Sequence, residues 1–298
     1  MLVRELLKNE YAPLRALRPT ALYQFDLTLT RWADHLGREP ALEDLKPLPV
    51  QAFLTQRRTQ VSAGTAKKDR THIVALWGYA AKRRLVDEFP TLPPLRAPAR
   101  IPRAYKVEEV SKLIRTALDH PGEVCGLPAG LYFGSMIRLA WETAERIGAI
   151  LQLRWRDVDL DERAVVYMAE NRKGSTRDIR RAFSQELAGW LAQIRRRDND
   201  LVFPWSRHPT SLWYELKKIA AVAGVTARGF HGLRKSAASY VTAAGGDATR
   251  LLDHSNPNIT RDHYVDESIA KPKTTALDFL PPLDLEPPSD AGPEKPAA

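Results

Sequence analysis

The chain has 298 residues, and its 45 lysines and arginines outnumber its 36 aspartates and glutamates to give a formal net charge of +9 at pH 7. This length allows two domains with separate cores, and the positive charge favours an anionic partner such as a nucleic-acid backbone. A single cysteine, Cys125, excludes an internal disulfide and a metal site built from cysteines alone.

Membrane insertion and secretion are not predicted. No apolar run approaches the roughly 20 residues that a bilayer-spanning helix needs. The first 15 residues, MLVRELLKNEYAPLR, lack the apolar segment and the small-residue cleavage site of a secretory signal. We therefore expect a cytoplasmic protein that makes no contact with a membrane.

Residues 1–90 are predicted to form a helical domain. Apolar residues recur at helical spacing in 20–37, again in 47–60, and in a third segment that begins at Gly64. Trp32 and Trp77 fall on the apolar faces, so we expect both in the core of this domain.

Basic residues cluster near the third helix of this domain and could form an edge that binds phosphates. The alternative interpretation is a solvated helix face. The candidates are Arg57, Arg58, Lys67, Lys68 and Arg70.

Residues 91–103 are predicted to be a linker, because their prolines cannot continue a helix and favour stiff, extended chain. Arg100 and Arg103 could lie along a DNA backbone, although a linker is often basic merely because it is solvated.

Residues 104–270 are predicted to form a second domain, which opens with an amphipathic helix at 106–118. The periodicity then shifts to strands at 157–170 and 176–183, on either side of a turn at Lys173 and Gly174. Helical patterns return from residue 184 onwards. The fold class is therefore mainly α with a small antiparallel β-sheet. Residues 271–298 form a C-terminal tail, whose last stretch, rich in proline, acidic residues and alanine, is expected to be disordered.

The segment from His231 to Tyr264 carries the residues best suited to chemistry. His231 and Arg234 are three positions apart, which places both on one face of a helix. His254 and Tyr264 follow within the same segment. A phenol has a pKa of about 10, so a tyrosine that acts as a nucleophile needs bases and cations around it.

This segment resembles the C-terminal motifs of the tyrosine recombinases, the phage integrase family. The matching features are His231-x-Leu-Arg234, then Asp253-His254-Ser255, then Tyr264. Upstream, Arg146 in ETAERIGAILQLRWRDVDL is similar to the first arginine motif of the family. The resemblance implies an N-terminal helical core-binding (SAM-like) domain and a C-terminal catalytic domain.

The family's chemistry implies a role for each matching residue. Tyr264 would attack a DNA phosphate and form a 3′-phosphotyrosyl bond, while Arg146 and Arg234 stabilise the charge on the phosphate oxygens. The remaining three roles concern protons and hydrogen bonds. Lys173 would be the general acid, His231 the base or hydrogen-bond partner of the tyrosine, and His254 a hydrogen-bond donor to phosphate.

Three positions depart from the family pattern. Ala149 stands where an acidic residue is usual, Lys235 where a histidine or similar residue follows the second arginine, and Asp253 where a glycine usually precedes the histidine. Two alternatives to a recombinase therefore stay open: an inactive DNA-binding protein on the same fold, and an enzyme similar to type IB topoisomerases.

No cofactor or metal is expected, because the sequence has neither a GxxxxGK[ST] phosphate loop nor a close carboxylate cluster. The resemblance implies double-stranded DNA with paired recognition sites as the partner and a homotetramer on that DNA. The protein would then be associated with the nucleoid. Residues 275–281, TALDFLP, could be exchanged between protomers.

Overall fold

A computed structural model describes residues 1–98, 100–172, 174, 176–271, 274 and 276–280. Backbone contacts divide the chain into two units, Met1–Ala99 and Arg100–Ala298. The division lies within the stretch 91–103, where the sequence predicts a linker. Within the described ranges, no helix is both long and apolar enough to cross a membrane.

In the described residues of the first unit, the regular structure is helical apart from one isolated β-bridge between Leu2 and Ala41. Its longest helices follow the three predicted segments, and α3 ends at Gly37, whose φ of +70° is a left-handed conformation that glycine adopts readily. The helices are α1 (Val3–Leu6) and α2 (Ala12–Leu14), joined by a π-helical turn (Leu7–Tyr11), then α3 (Pro19–Leu36), α4 (Pro47–Gln60) and α5 (Ala63–Lys82).

Trp32 and Trp77 lie in the core of the first unit, as the sequence predicts, and both are fully buried. The packed part of the unit continues slightly beyond residue 90. Leu92 is buried, and Arg70 donates hydrogen bonds to the carbonyl oxygens of Leu92 (2.8 Å) and Pro93 (3.1 Å). The proline-rich chain is therefore fixed to this unit before it becomes a connection.

The second unit combines helices with two small antiparallel sheets, which confirms the predicted fold class. The strands β1 and β2 pair with each other, and β3, β4 and β5 form a second sheet in that order. The elements are α6 (Val107–Leu118), β1 (Glu123–Val124), β2 (Leu127–Pro128), α7 (Ala129–Thr143), α8 (Ile147–Ile150), β3 (Val158–Asp159), β4 (Ala164–Tyr167), β5 (Ile179–Ala182), α9 (Gln185–Gln193), α10 (Pro209–Val222), α11 (Gly229–Ala243), α12 (Ala248–Leu252) and α13 (Pro257–Tyr264), followed by a 3-10 turn (Ala276–Phe279).

Helix α7 is the centre of this unit, since it packs against α6, α9 and α11. It is apolar over most of its circumference, as expected of a helix buried on several sides. Gly130 allows a close approach to α6, because a Cβ atom there would lie 2.1 Å from the carbonyl oxygen of Leu118. The end of α7 leads directly to Arg146.

The segment that enters the second unit is hydrogen-bonded to the C-terminal elements. The amide of Ala104 donates to Asp266 (2.8 Å), and that of Tyr105 donates to the hydroxyl of Ser236 (2.6 Å). The amide of Val107 donates to the phenol oxygen of Tyr240 (2.8 Å). Side chains of the C-terminal segment, of which Asp266 and Ser236 are buried, thus accept hydrogen bonds from backbone amides more than 100 residues earlier. These bonds fix the position of α11.

Candidate active site

Helix α11 carries His231 and Arg234 one turn apart, but at different depths. His231 is exposed, whereas only 1% of the surface of Arg234 is exposed. Arg234 donates to the carbonyl oxygens of Leu252 (2.7 Å) and Ala144. Its Nε has no hydrogen-bond partner among the described residues. The guanidinium is therefore held rigidly by backbone carbonyl oxygens from two segments.

Glu145 is the counter-ion of the buried arginines, and sequence reasoning missed it. Its carboxylate is buried, accepts a hydrogen bond from Nε of Arg172 (3.0 Å), and lies 3.6 Å from Nη1 of Arg234. It also accepts the backbone amide of Arg146 (2.8 Å). The only signal in the sequence is an acid directly before Arg146.

Arg146 is half-buried and occupies the N-cap position of α8. It lines a cleft of about 160 Å³, whose other walls include two further charged side chains and one histidine. The other lining residues are Arg172, Gly174, Asp253, His254, Ser255 and Ile259. Arg172 is buried and pairs with Glu145 and Asp253, so Arg146 is the cleft arginine that is accessible to an anion such as a phosphate.

Tyr264 is the last residue of α13 and is 8% exposed. Its ring centroid lies 5.0 Å from that of His231 and 4.7 Å from that of His254. The guanidinium carbon of Arg234 lies 5.6 Å from the same centroid. The structure thus brings four of the six predicted catalytic residues together, and Arg146 shares the adjacent cleft with His254.

The end of α13 is tied to α11 by one buried hydroxyl. Ser239 accepts the amide of Asp266 (2.9 Å), and its single proton is shared between the carbonyl oxygens of Lys235 (2.8 Å) and Tyr264 (3.3 Å). Because Ser239 is fully buried, these bonds are shielded from water. The backbone on both sides of the tyrosine is therefore positioned by the helix that carries His231 and Arg234.

Both histidines favour the neutral form. Partial loss of water around the ring, followed by the charges of Lys235 and Arg234, lowers the pKa of His231 to about 4, even though the residue as a whole remains exposed. Burial and the charges of Arg234 and Arg146 lower the pKa of His254 to about 4 as well. Nδ1 of His254 is 2.9 Å from the hydroxyl of Thr260, which orients the ring.

Burial lowers the pKa of Arg234 to about 10, and the nearby carboxylate of Glu145 opposes that shift. The guanidinium therefore stays charged at neutral pH. A buried charge that stays ionised, with a fixed partner on one side and a tyrosine ring on the other, is preorganised to interact with a second anion.

Lys173 lies outside the described residues. Its neighbours in the sequence, Arg172 and Gly174, both line the cleft. They belong to the loop between β4 and β5, where the amide of Ala169 donates to Asp178 (2.7 Å).

The basic residues predicted to bind DNA fall into two groups. Arg57 pairs with the buried Asp69 at 3.1 Å, and Arg70 donates to backbone carbonyls, so both guanidiniums have partners within the first unit. The others are exposed: Arg58, Lys67, Lys68, Arg100 and Arg103.

The three departures from the family pattern have distinct surroundings. Ala149 is buried and Lys235 is half-buried. Asp253 has a φ of +54°, a left-handed conformation that glycine adopts at least cost, which explains the usual glycine. In the described part of the chain, no three His, Cys, Asp or Glu side chains are grouped as a metal site.

A helical unit thus surrounds a tyrosine with two histidines and a buried arginine, beside a cleft lined by Arg146. The model of the phage integrase family matches residues 106–270, more than half of the chain. The chain therefore belongs to the phage integrase family.

Curated relatives include two tyrosine recombinases named XerD. The protein from Ralstonia nicotianae is 27% identical over 259 residues, which cover 80% of each chain. The protein from Haemophilus influenzae is 23% identical over 279 residues, covering 86% of this chain and 91% of that one.

Solved structures show the same fold. A lambda integrase dimer bound to a COC′ core site matches with a TM-score of 0.70 at 16% identity, covering 92% of this chain and 80% of that chain. The XerH site-specific recombinase in a post-cleavage complex with a palindromic difH substrate matches with a TM-score of 0.65 at 18% identity, covering 84% and 76%.

Proposed function

We propose that this chain is a site-specific DNA recombinase that cuts and rejoins DNA through a covalent bond between Tyr264 and a 3′-phosphate. The observation that carries the proposal is the cluster around Tyr264, whose ring contacts the rings of His231 and His254 and the guanidinium of Arg234. A tyrosine surrounded by two neutral bases and a fixed cation has the partners that a phenol needs to attack phosphorus.

Arg146 and Arg234 stabilise the transition state in this mechanism. Attack on a phosphodiester passes through a pentacoordinate phosphorus whose non-bridging oxygens gain negative charge, and fixed guanidiniums lower the energy of that charge. The half-buried Arg146 opens to the cleft, and the guanidinium carbon of Arg234 lies 5.6 Å from the ring centroid of Tyr264. For attack, the hydroxyl of Tyr264 has to turn towards the phosphate held by these two residues.

Three further residues transfer protons or donate hydrogen bonds. His231, neutral at pH 7, takes the proton of the Tyr264 hydroxyl, and His254 hydrogen-bonds a non-bridging oxygen. Lys173 gives a proton to the departing 5′-oxygen, which is a poor leaving group without one. The phosphotyrosyl bond retains the energy of the phosphodiester, so a 5′-hydroxyl of a second strand can reverse the reaction without ATP or a metal ion.

A nicked suicide substrate tests the proposal. Such a DNA loses a short 5′-hydroxyl fragment after cleavage, so the covalent intermediate accumulates and is seen as a shifted band on a denaturing gel. We expect the adduct with the wild type and none with Tyr264→Phe. An adduct that survives this substitution contradicts the nucleophile assignment.

The same samples separate the alternative functions. Binding of duplex DNA without any adduct from the wild type indicates an inactive DNA-binding protein. An adduct together with relaxation of supercoiled DNA by the monomer, without a partner site, indicates an enzyme similar to type IB topoisomerases. Strand exchange between two recognition sites supports the recombinase.

We also propose assembly on DNA, as a tetramer that holds two duplexes. The solved neighbours include a lambda integrase tetramer bound to a Holliday junction. Near the end of the described residues, Phe279 and Leu280 expose 77% and 64% of their surface, as expected of a segment that packs on a neighbouring protomer. Deletion of the residues after 273 is then expected to reduce synapsis more than binding to a single site, whereas equal synapsis removes this part of the proposal.

The first unit is proposed to clamp the DNA through Arg58, Lys67 and Lys68, which are exposed. Each phosphate contact that is lost reduces the slope of log Kd against log salt by about 0.9. The double substitution Lys67→Gln and Lys68→Gln is expected to reduce that slope, while the control Lys82→Gln, at the far end of the same helix, leaves it unchanged. A slope that does not change with the double substitution contradicts the clamp.

A further inference from the structure

Asp253 joins two parts of the site that are far apart in the sequence. Its Oδ2 lies 2.9 Å from Nη1 of Arg172, and its Oδ1 lies 2.7 Å from Nη2 of Arg177. Both arginines belong to the loop between β4 and β5, and Asp253 directly precedes His254. One carboxylate thus binds two arginines that flank Lys173 in the sequence.

The backbone at Asp253 has a left-handed conformation, which costs energy for every residue except glycine and costs least for asparagine and aspartate among the others. It directly follows α12 and has φ +54° and ψ +45°, the left-handed position at which glycine is preferred. Aspartate tolerates this region better than most residues, but at some cost in energy. The two ion pairs offset that cost, which indicates that the carboxylate has a use here that glycine cannot provide.

The network continues from Asp253 to the first arginine motif. Arg172 is 3% exposed and also binds Glu145, whose carboxylate accepts the backbone amide of Arg146. Buried charged hydrogen bonds with fixed partners on both sides leave Arg172 little freedom. The loop, the segment of His254 and the segment of Arg146 are therefore connected by one chain of ion pairs.

The strand next to the loop has its own attachment. Arg181 on β5 donates to the carbonyl oxygen of Leu251 at 2.5 Å, which holds β5 against α12. Loss of the Asp253 carboxylate should therefore free the Arg177 side of the loop, while Arg172 stays paired with Glu145 and the sheet stays in place.

We propose that Asp253 is a positioning residue that holds the loop carrying Lys173 against the segment of His254. This inference rests on the proposed function, because it assigns Asp253 to the delivery of a proton to the leaving 5′-oxygen. Asp253 touches no reacting atom in this role. It acts through Arg172 and Arg177, and so fixes the loop before DNA is bound.

A substrate with sulfur in place of the scissile 5′-oxygen tests the proposal. A thiolate leaves without protonation, so a defect in proton delivery disappears on this 5′-bridging phosphorothiolate, whereas a defect in transition-state charge stabilisation persists. Lys173→Ala is the reference for a missing proton donor, and Arg146→Ala is the reference for missing charge stabilisation. Adduct formation is measured in a single turnover on both substrates, together with the Kd for DNA.

We expect Asp253→Asn and Arg177→Gln each to slow adduct formation on the ordinary phosphodiester by about tenfold to a hundredfold, as is typical when a supporting residue is lost. On the sulfur substrate both variants should approach the wild-type rate, with Kd unchanged. The double variant should be no slower than the slower single variant, because both substitutions remove the same ion pair between Asp253 and Arg177. Asp253→Gly, which relieves the backbone, should behave like Asp253→Asn.

Two matched controls accompany these variants. Arg180→Gln removes an exposed arginine of β5 whose partner, Glu162, lies 3.8 Å away, and Asp198→Asn removes an exposed, paired aspartate far along the chain. Both should retain wild-type rates on both substrates.

Equal losses on the two substrates, or wild-type rates for Asp253→Asn on the phosphodiester, contradict the proposed positioning role of Asp253. In either case the wild type still forms its adduct, so the proposed function stands. If the wild type forms no adduct on either substrate, both the proposed function and the positioning role of Asp253 are contradicted.

Discussion

The guanidinium carbon of Arg234 lies 5.6 Å from the ring centroid of Tyr264, and the arginine is more deeply buried than the tyrosine. The cation is fixed from behind by the carbonyl oxygens of Ala144 and Leu252 and by the carboxylate of Glu145. Arg234 thus has two tasks, since it holds three segments together and faces the tyrosine. Arg146, half-buried at the cleft, has fewer structural contacts.

This difference predicts separable effects of the two arginines. Arg146→Ala should lower the rate of adduct formation by about a hundredfold to a thousandfold, as expected for the loss of one donor to a developing oxyanion. Its free energy of unfolding should stay within about 0.5 kcal/mol of the wild type. Arg234→Ala should lower both quantities. Single-turnover cleavage and urea unfolding measure them, and a strongly destabilised Arg146→Ala contradicts this division.

Glu145→Gln should destabilise the second unit. Removal of the carboxylate leaves Arg172 and Arg234 without a shared buried counter-ion, and loss of one partner of a buried ion pair costs about 3–5 kcal/mol. Urea unfolding followed by circular dichroism measures the change. The control Glu162→Gln removes an exposed carboxylate 3.8 Å from Arg180 and should cost less than about 1 kcal/mol. Similar values for the two variants contradict the assigned role of Glu145.

The acid limb of the pH–rate profile should lie near pH 4 and not near 6.5. Both His231 and His254 have a pKa lowered to about 4, so they stay neutral from pH 8 down to about pH 5. These lowered pKa values also make the free energy of unfolding depend on pH. As pH falls from 6.5 towards 4, the unfolded chain binds protons at these histidines before the folded state does, so the folded state loses stability.

Single-turnover adduct formation between pH 3.5 and 8, with circular dichroism at each pH, is the measurement. A rate that falls by half near pH 6.5 while the protein stays folded indicates that one of these imidazoles titrates normally.

Gly232→Ala should destabilise the protein through overpacking. A Cβ atom at residue 232 would lie 2.7 Å from the ring of Tyr105 and 2.7 Å from the Cβ of Arg228. Insertion of a methyl group into such a contact costs about 1–3 kcal/mol. Gly189→Ala is the matched control, because α9 has open space there and alanine should stabilise it by about 0.5–1 kcal/mol. The difference in unfolding midpoints tests both, and equal midpoints contradict the close contact.

Much of the fold follows from local pattern. The helical spacing of apolar residues predicts α3, α4, α5 and α6, because an amphipathic helix places one residue in three or four against the core. The change to alternating residues predicts the sheet. The burial of Leu92 could not be predicted, because a proline-rich segment has no periodicity that indicates which residues pack against the core.

The active site was predicted in part. The motifs point to His231, Arg234, His254 and Tyr264, and the structure brings their side chains together. Glu145 could not be identified, because a lone acid beside an arginine has the same appearance in sequence on a surface as in a core.

The sequence by itself determined which chemical groups are present, their order along the chain and the helices and strands that carry them, because these depend on residue type and local spacing. Only the tertiary structure decided depth and pairing. Arg234 is buried while His231, one turn away, is exposed, and Asp253 reaches Arg172 and Arg177 across more than 70 positions. Burial and ion pairing depend on which distant segments meet, and these contacts set the charge state and rigidity of each side chain.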